Sequence, residues 1–379
     1  MPESLEHALR REFEGLERSN LLRRLREPSG LDLCSNDYLG LATHPLVARR
    51  MAESAVSLGA GSTGSRLLRG HRPVFSSIER RFAAFKGTER ALFFSSGYLA
   101  NLGLLTALAR AGDVVFSDER NHASLIDGIR LSRAHCVIFP HNDADRLAAL
   151  VGNTPIPQRG FVVTESLFSM DGDVAPLGAY AAICRRENLT LIVDEAHAVG
   201  VCGETGSGLL EYVDVSGVTT MSVNTAGKAL GVCGAFVAGP GWAIEYLVQR
   251  ARSFIFSTAA PPSIAAALDA SLDLVDAEPE RRQRLGANVS HLAAALTSIG
   301  WPVPRPASHI VPILLGANER ALRVATELQI RGFDVRAIRP PTVPDGTARL
   351  RLSVNAGLTI GDIDRFLTAL QAATAEHER

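Results

Sequence analysis

The chain has 379 residues, 46% of them hydrophobic, and a formal net charge of -1. That length can bury a large core and suits two domains better than one, and the near-neutral charge gives no electrostatic footprint for nucleic acid. No apolar run reaches the length of a membrane span and the start does not read as a signal peptide, so a soluble, cytoplasmic protein with no nucleic-acid or membrane partner is expected.

In chain order, the first 35 or so residues are Arg-rich and read as helix followed by loop. The predicted N-terminal segment is 1–38, packing on a small domain further along. From about residue 90 to 240, short β-rich runs alternate with helical stretches. The runs cover 91–95, 113–117, 134–139, 160–165, 189–194, 218–223 and 233–238. Most are nearly continuous apolar segments, as expected of strands buried on both faces of a mainly parallel sheet. The fold class is therefore α/β, with a large domain over 39–285 built on a sheet of about seven strands. Residues 240–300 turn helical. Beyond them, strand-like 309–315, 334–338 and 348–354 surround a helix at 317–331 and are closed by a helix at 360–375, which makes a small α+β domain over 286–379. The five cysteines are odd in number and widely spaced with no C-x-x-C pair, which predicts buried free thiols rather than disulfides or a structural zinc. No metal site is expected.

Lysine is nearly absent: Lys86 and Lys228 are the two lysines among 39 basic residues. An ε-ammonium can be tuned to a free amine and a guanidinium cannot, so a lysine kept in an arginine background is a candidate for imine chemistry. Lys86 ends a charged helical run just before Gly87, where a C-cap and the helix dipole explain it. Lys228 sits among small residues in Ser222-Val223-Asn224-Thr225-Ala226-Gly227-Lys228-Ala229, with no carboxylate alongside.

The run Leu189-Thr190-Leu191-Ile192-Val193-Asp194-Glu195-Ala196-His197 is a buried strand ending in two acids and a histidine, where open α/β sheets place their sites. A nucleotide-triphosphate motor would need G-x-x-x-x-G-K-[ST], and Gly227-Lys228-Ala229 lacks the hydroxyl. An Asp at a strand end with a lysine one strand later suits pyridoxal 5′-phosphate: Lys228 holds the cofactor as an imine and Asp194 keeps its ring nitrogen protonated. Asp194 could equally pair with a helix terminus. His197 could hydrogen-bond the phenolic oxygen. Ser96-Gly97-Tyr98-Leu99-Ala100-Asn101 is a glycine turn opening a helix, a weak anion-binding signal to which Thr225 could add a hydroxyl. His122 follows another strand end, as a helix cap or as an imidazole stacked on a flat ring. Gly59 to Arg66 follows a helix rather than a strand and reads as a loop, and no G-x-S-x-G elbow exists.

Taken in order, Asn36-Asp37-Tyr38-Leu39-Gly40-Leu41, Gly61-Ser62-Thr63-Gly64-Ser65-Arg66, Ser96-Gly97-Tyr98 with Asn101, His122-Ala123-Ser124, Phe168-Ser169-Met170-Asp171-Gly172-Asp173 and Asp194-Glu195-Ala196-His197 resemble the α-oxoamine synthases. These are fold-type I pyridoxal-phosphate enzymes, and the resemblance covers nearly the whole chain. It implies that Lys228 carries the cofactor, Asp194 meets its ring nitrogen, His197 and Ser169 contact it and His122 stacks on it. It further implies that Gly97, Tyr98 and Thr225 hold the phosphate, with Ser257 and Thr258 reaching it from the partner subunit of a homodimer with shared sites. Arg351 is implied for the amino-acid carboxylate, with Arg349 on the same strand face as its alternative; Arg23, His122 and Thr342 complete the substrate contacts. Segments around Pro341-Thr342-Val343-Pro344 and Phe256-Ser257-Thr258 look most like the member that joins L-alanine to pimeloyl-CoA, or to a pimeloyl carrier protein. Ala198 and the middle of Asn224-Thr225-Ala226-Gly227-Lys228 depart from its pattern. Glycine with acetyl-CoA, another acyl-CoA, an aminotransferase reaction and a silent pyridoxal-binding protein remain the alternatives.

Overall fold

Strands form where the sequence runs apolar for five or six residues between glycine- and charge-bearing turns. The computed structural model describes residues 3–375 and divides into two units; the outermost residues of the predicted terminal segments, 1–2 and 376–379, lie outside the described residues. The larger unit takes residues 36–169 and 173–283. Its strands are β1 (Arg90–Phe94), β2 (Val114–Asp118), β3 (His135–Phe139), β4 (Gly160–Glu165), β5 (Thr190–Asp194), β6 (Thr220–Thr225) and β7 (Ala235–Gly239). They form one seven-stranded sheet in the order β1-β7-β6-β5-β4-β2-β3. The pairs from β6 through β3 are parallel, and β7 runs antiparallel to both its neighbours.

The apolar runs are continuous because both faces of this sheet are buried. Val115, Phe161, Val163, Ile192 and Val223 join one core with Leu104 and Leu105 of helix Gly97–Leu108 and Ile129 of helix Ala123–Ser132. The intervening Val114, Phe116, Val162, Leu191 and Val193 join a second core with Leu147 of helix Ala144–Asn153 and Tyr180 and Ile183 of helix Leu177–Glu187. Successive strand residues alternate between the two cores, as a two-residue period requires. The region of Gly59 to Arg66 is loop after helix Pro45–Leu58, as its failure to follow a strand predicts.

The smaller unit takes the chain up to Ser35, residues 170–172 and the chain from Arg284. Ala348–Ser353 is the central strand of an antiparallel sheet between Ile310–Gly316 and Ala337–Ile338. The sequence reads 334–338 as one strand, but the chain changes sheets there: Phe333–Asp334 pairs in parallel with Leu31–Asp32, and Ala337–Ile338 with Leu350 and Arg349. Two partners on different sides compete for so short a run, and neither takes all of it. All five cysteines are free, yet Cys136 and Cys233 are exposed, which corrects the expectation of buried thiols. Cys136 lies on β3, the edge strand, where one side of the sheet has no neighbour to cover it.

Candidate active site

The carboxyl ends of β4, β5 and β6 lie side by side, and polar residues begin where their apolar runs stop. Asp194 continues the alternation of Ile192 and Glu165 that of Val163. The two acids are register partners, so they point to the face covered by helix Gly97–Leu108. On that helix buried Asn101 spends both amide hydrogens, donating to Asp194 Oδ2 at 2.7 Å and to Ser124 Oγ at 2.9 Å. The Ala196 N–H donates to Asp194 Oδ1 at 2.9 Å. Both carboxylate oxygens are thereby fixed in direction inside a buried site, the arrangement a fixed anion opposite a protonated ring nitrogen requires.

Lys228 follows β6 by three residues, and its Nζ lies 2.7 Å from His197 Nε2. The opposite ring atom, Nδ1, is 2.7 Å from the hydroxyl of Tyr38, which in turn lies 2.9 Å from Asn36 Oδ1. One proton placement satisfies all three contacts: the amine donates to Nε2, Nδ1–H donates to the Tyr38 oxygen, and the Tyr38 hydroxyl donates to Asn36. In that placement His197 accepts from the lysine. This chain of contacts fixes where the amine sits.

His122 caps helix Ala123–Ser132, its Nδ1 accepting from the Ser124 N–H at 3.2 Å and meeting Ser124 Oγ at 2.8 Å. Capping and cofactor contact therefore do not exclude each other. Burial does most to lower its pKa; Asp194 opposes this and Lys228 adds to it, so the ring is neutral at neutral pH. Through Ser124 and Asn101 the imidazole is tied to Asp194.

The phosphate cradle can be tested from the backbone. Ser96 caps helix Gly97–Leu108 through the Leu99 N–H, leaving the first turn's remaining N–H groups for an anion. A Cβ built on Gly97 would come within 2.5 Å of Thr225 Oγ1. Glycine is what lets the helix start and the Thr225 hydroxyl face one spot. A helix terminus with a hydroxyl, a pinned aspartate, a neutral imidazole and a lysine amine fit pyridoxal phosphate. The Tyr98 hydroxyl donates outward to Asp127, so its contribution to this spot is the backbone. Ser257 and Thr258 line a separate small recess with Arg66, Phe75, Phe94 and Ser95 in this chain.

Arg351, Arg349, Arg23 and Thr342 belong to the smaller unit. Arg351 is buried and donates to Ser353 Oγ at 2.7 Å. Arg349 is paired with Asp171 at 2.6 Å. Arg23 donates to the Pro340 carbonyl, and Thr342 is exposed in a turn, its backbone N–H donating to the Arg339 carbonyl.

Sequence reasoning missed the roles of Tyr38, Asn101, Ser124 and Glu165. The first three stand in quoted motifs, but nothing in their spacing tells which distant group each meets. Gly87 caps the helix of Lys86 in the left-handed conformation, as expected, and the lysine has a partner the spacing does not disclose: its amine lies 2.5 Å from Glu195 Oε2, with both side chains almost wholly buried.

Comparison with known proteins places this geometry among relatives. The aminotransferase class I and II family matches residues 28–370. A protein of Anaeromyxobacter dehalogenans named 8-amino-7-oxononanoate synthase is 49% identical over 342 residues, 90% of this chain and 86% of that one. One of the same name from Azoarcus sp. is 46% identical over 340 residues, 90% of this chain and 87% of that one. Among solved structures, serine palmitoyltransferase from S. paucimobilis with bound PLP–myriocin superposes with a TM-score of 0.91 at 30% identity, covering 99% of both chains. The 8-amino-7-oxononanoate synthase of Francisella tularensis gives a TM-score of 0.79 at 29% identity, covering 93% of this chain and 100% of that one.

Proposed function

The chain belongs to the class I and II aminotransferase family and, within it, to the group named 8-amino-7-oxononanoate synthase; on that premise we propose that it condenses L-alanine with a pimeloyl thioester, releasing carbon dioxide and the thiol carrier and forming 8-amino-7-oxononanoate for biotin biosynthesis. It is a pyridoxal-phosphate-dependent acyltransferase. One observation carries the reading: a lysine amine and a pinned, buried aspartate leave adjacent strand ends in a chain 49% identical to a synthase of that name.

When bound, the cofactor supplies an electron sink beside the Cα of the amino acid. Asp194 is proposed to hold the proton on its ring nitrogen, and the Asn101 amide keeps that carboxylate turned toward it. The neutral imidazole of His122 offers a flat, uncharged surface to stack on. The N–H groups of Gly97 and Tyr98 and the Thr225 hydroxyl would take the phosphate, with Ser257 and Thr258 contributed by the second subunit of a homodimer. Ser169 and His197 would contact the cofactor from the side of its phenolic oxygen. Lys228 serves twice, as the amine that carries the cofactor and as the base that moves the proton at Cα. A lysine amine can pass its own proton to His197 Nε2 at 2.7 Å, and a neutral amine is a competent acceptor for a Cα proton. Arg351 is proposed for the substrate carboxylate, where a guanidinium fork gives two parallel hydrogen bonds, and Arg23 and Thr342 for further substrate contacts.

The serine palmitoyltransferase superposition supports a second reading, L-serine with a palmitoyl donor. A panel of L-alanine, glycine and L-serine against pimeloyl-, acetyl- and palmitoyl-CoA, followed by thiol release, separates the readings. Release confined to L-alanine with pimeloyl-CoA is expected. Preferential release with glycine and acetyl-CoA, or with L-serine and palmitoyl-CoA, would move the substrate assignment while leaving the cofactor site intact.

A further inference from the structure

Glu165 is a buried acid at these strand ends to which the proposed reaction gives no role. It closes β4 beside Asp194, points to the same face and is 3% exposed. The backbone N–H groups of His122 and Ser169 face its carboxyl and favour its charged form, and its Oε1 has no hydrogen-bond partner among the described residues. Those two residues are the proposed ring-stacking and phenolic-oxygen contacts, and they lie on different segments. One side chain therefore faces the backbone of both.

We propose that Glu165 is a positioning residue that works as a neutral acid, fixing the His122 and Ser169 backbone while leaving Asp194 the sole negative charge on this face of the strand ends. The inference rests on the reading of the cofactor site, but its charge state is a property of the chain itself. Two carboxylates side by side in a buried site cannot both ionise cheaply. The groups facing it agree: burial does most to raise its pKa, Asp194 raises it further, and Lys228 with the two backbone N–H groups pulls it down without prevailing. The balance carries it from the ordinary 4.5 to about 8. A neutral carboxyl still accepts both N–H groups on its carbonyl oxygen, and its proton belongs on the unpartnered Oε1.

The test reads ionisation before turnover. Infrared spectra of the wild-type holoenzyme carrying 13C-labelled glutamate should show a label-shifted carboxylic-acid band at neutral pH, fading as pH rises through about 8 and missing from E165Q. Raised folded-state pKa means stability is greatest below the ordinary glutamate pKa and is lost as pH climbs to the folded value. The melting temperature of E165Q relative to wild type should therefore rise from about pH 5 to about pH 8 and then level off. Glu165→Ala, which cannot hold the two N–H groups, should weaken cofactor affinity roughly tenfold, with Gln restoring most of it. A wild-type spectrum without the band at neutral pH, or a melting difference flat with pH, would overturn the proposal. The infrared result, read on the holoenzyme and E165Q, needs no substrate to be known, so its failure is distinct from failure of the proposed reaction.

Discussion

His141 shows how a single residue can hold a loop by charge. Its Nδ1 lies 2.9 Å from Asp118 Oδ1 and its Nε2 lies 2.6 Å from Asp173 Oδ2, while its ring meets the edge of Phe168. Burial disfavours the imidazolium, but the hydrogen bonds to Asp118 and Asp173 outweigh it and carry the pKa from 6.5 to about 9. Asp173 ends the segment that begins with Ser169, so the clamp sits next to a proposed cofactor contact. A raised pKa gives stability that is complete below pH 6.5 and lost as pH rises through about 9. His141→Gln should therefore cost about 2 to 3 kcal/mol near pH 6 and much less above pH 10, measured by urea denaturation across that range. A cost independent of pH would mean the ring is held neutral. At this scale the sequence discloses residue types better than partners. Lys228 stands out because arginine replaces lysine almost everywhere else, whereas Glu165 looks like any strand-end acid until strand order sets it beside Asp194.

Between elements, the pair Lys86–Glu195 does what hydrophobic packing does elsewhere. Lys86 ends helix Pro73–Lys86, and Glu195 follows β5, 109 residues later. The amine also donates to the Ser207 carbonyl, and Glu195 accepts the Leu210 N–H at 3.0 Å, so helix, strand end and following loop meet at one buried charge pair. Removing one partner leaves the other charge buried and unmatched. Lys86→Ala should destabilise by about 3 to 5 kcal/mol, whereas Lys86→Met with Glu195→Leu should recover much of that loss in equilibrium unfolding. A double-variant loss equal to the sum of the losses from Lys86→Met and Glu195→Leu alone would show that the pair is not coupled. The strands of the large sheet are legible from sequence because burial on both faces leaves an unbroken apolar run. The smaller sheet is not, because residues 333–338 are shared between two partners and their local pattern carries no record of the division. Contacts such as Tyr38 with His197, 159 residues apart, are equally invisible, since they follow from strand order rather than spacing.

Across the whole molecule, the two lysines have opposite fates, and that contrast makes the central claim directly measurable. Lys86 is paired with a carboxylate inside the protein, while Lys228 lies against an imidazole nitrogen. An imine forms on the amine that can shed its proton. The deciding experiment is borohydride reduction of the protein saturated with pyridoxal phosphate, followed by mass mapping of the peptides. A single pyridoxyl group on Lys228, lost in Lys228→Ala together with the visible cofactor absorbance, is the predicted result. Label on Lys86, or an unaltered spectrum in Lys228→Ala, would contradict the account.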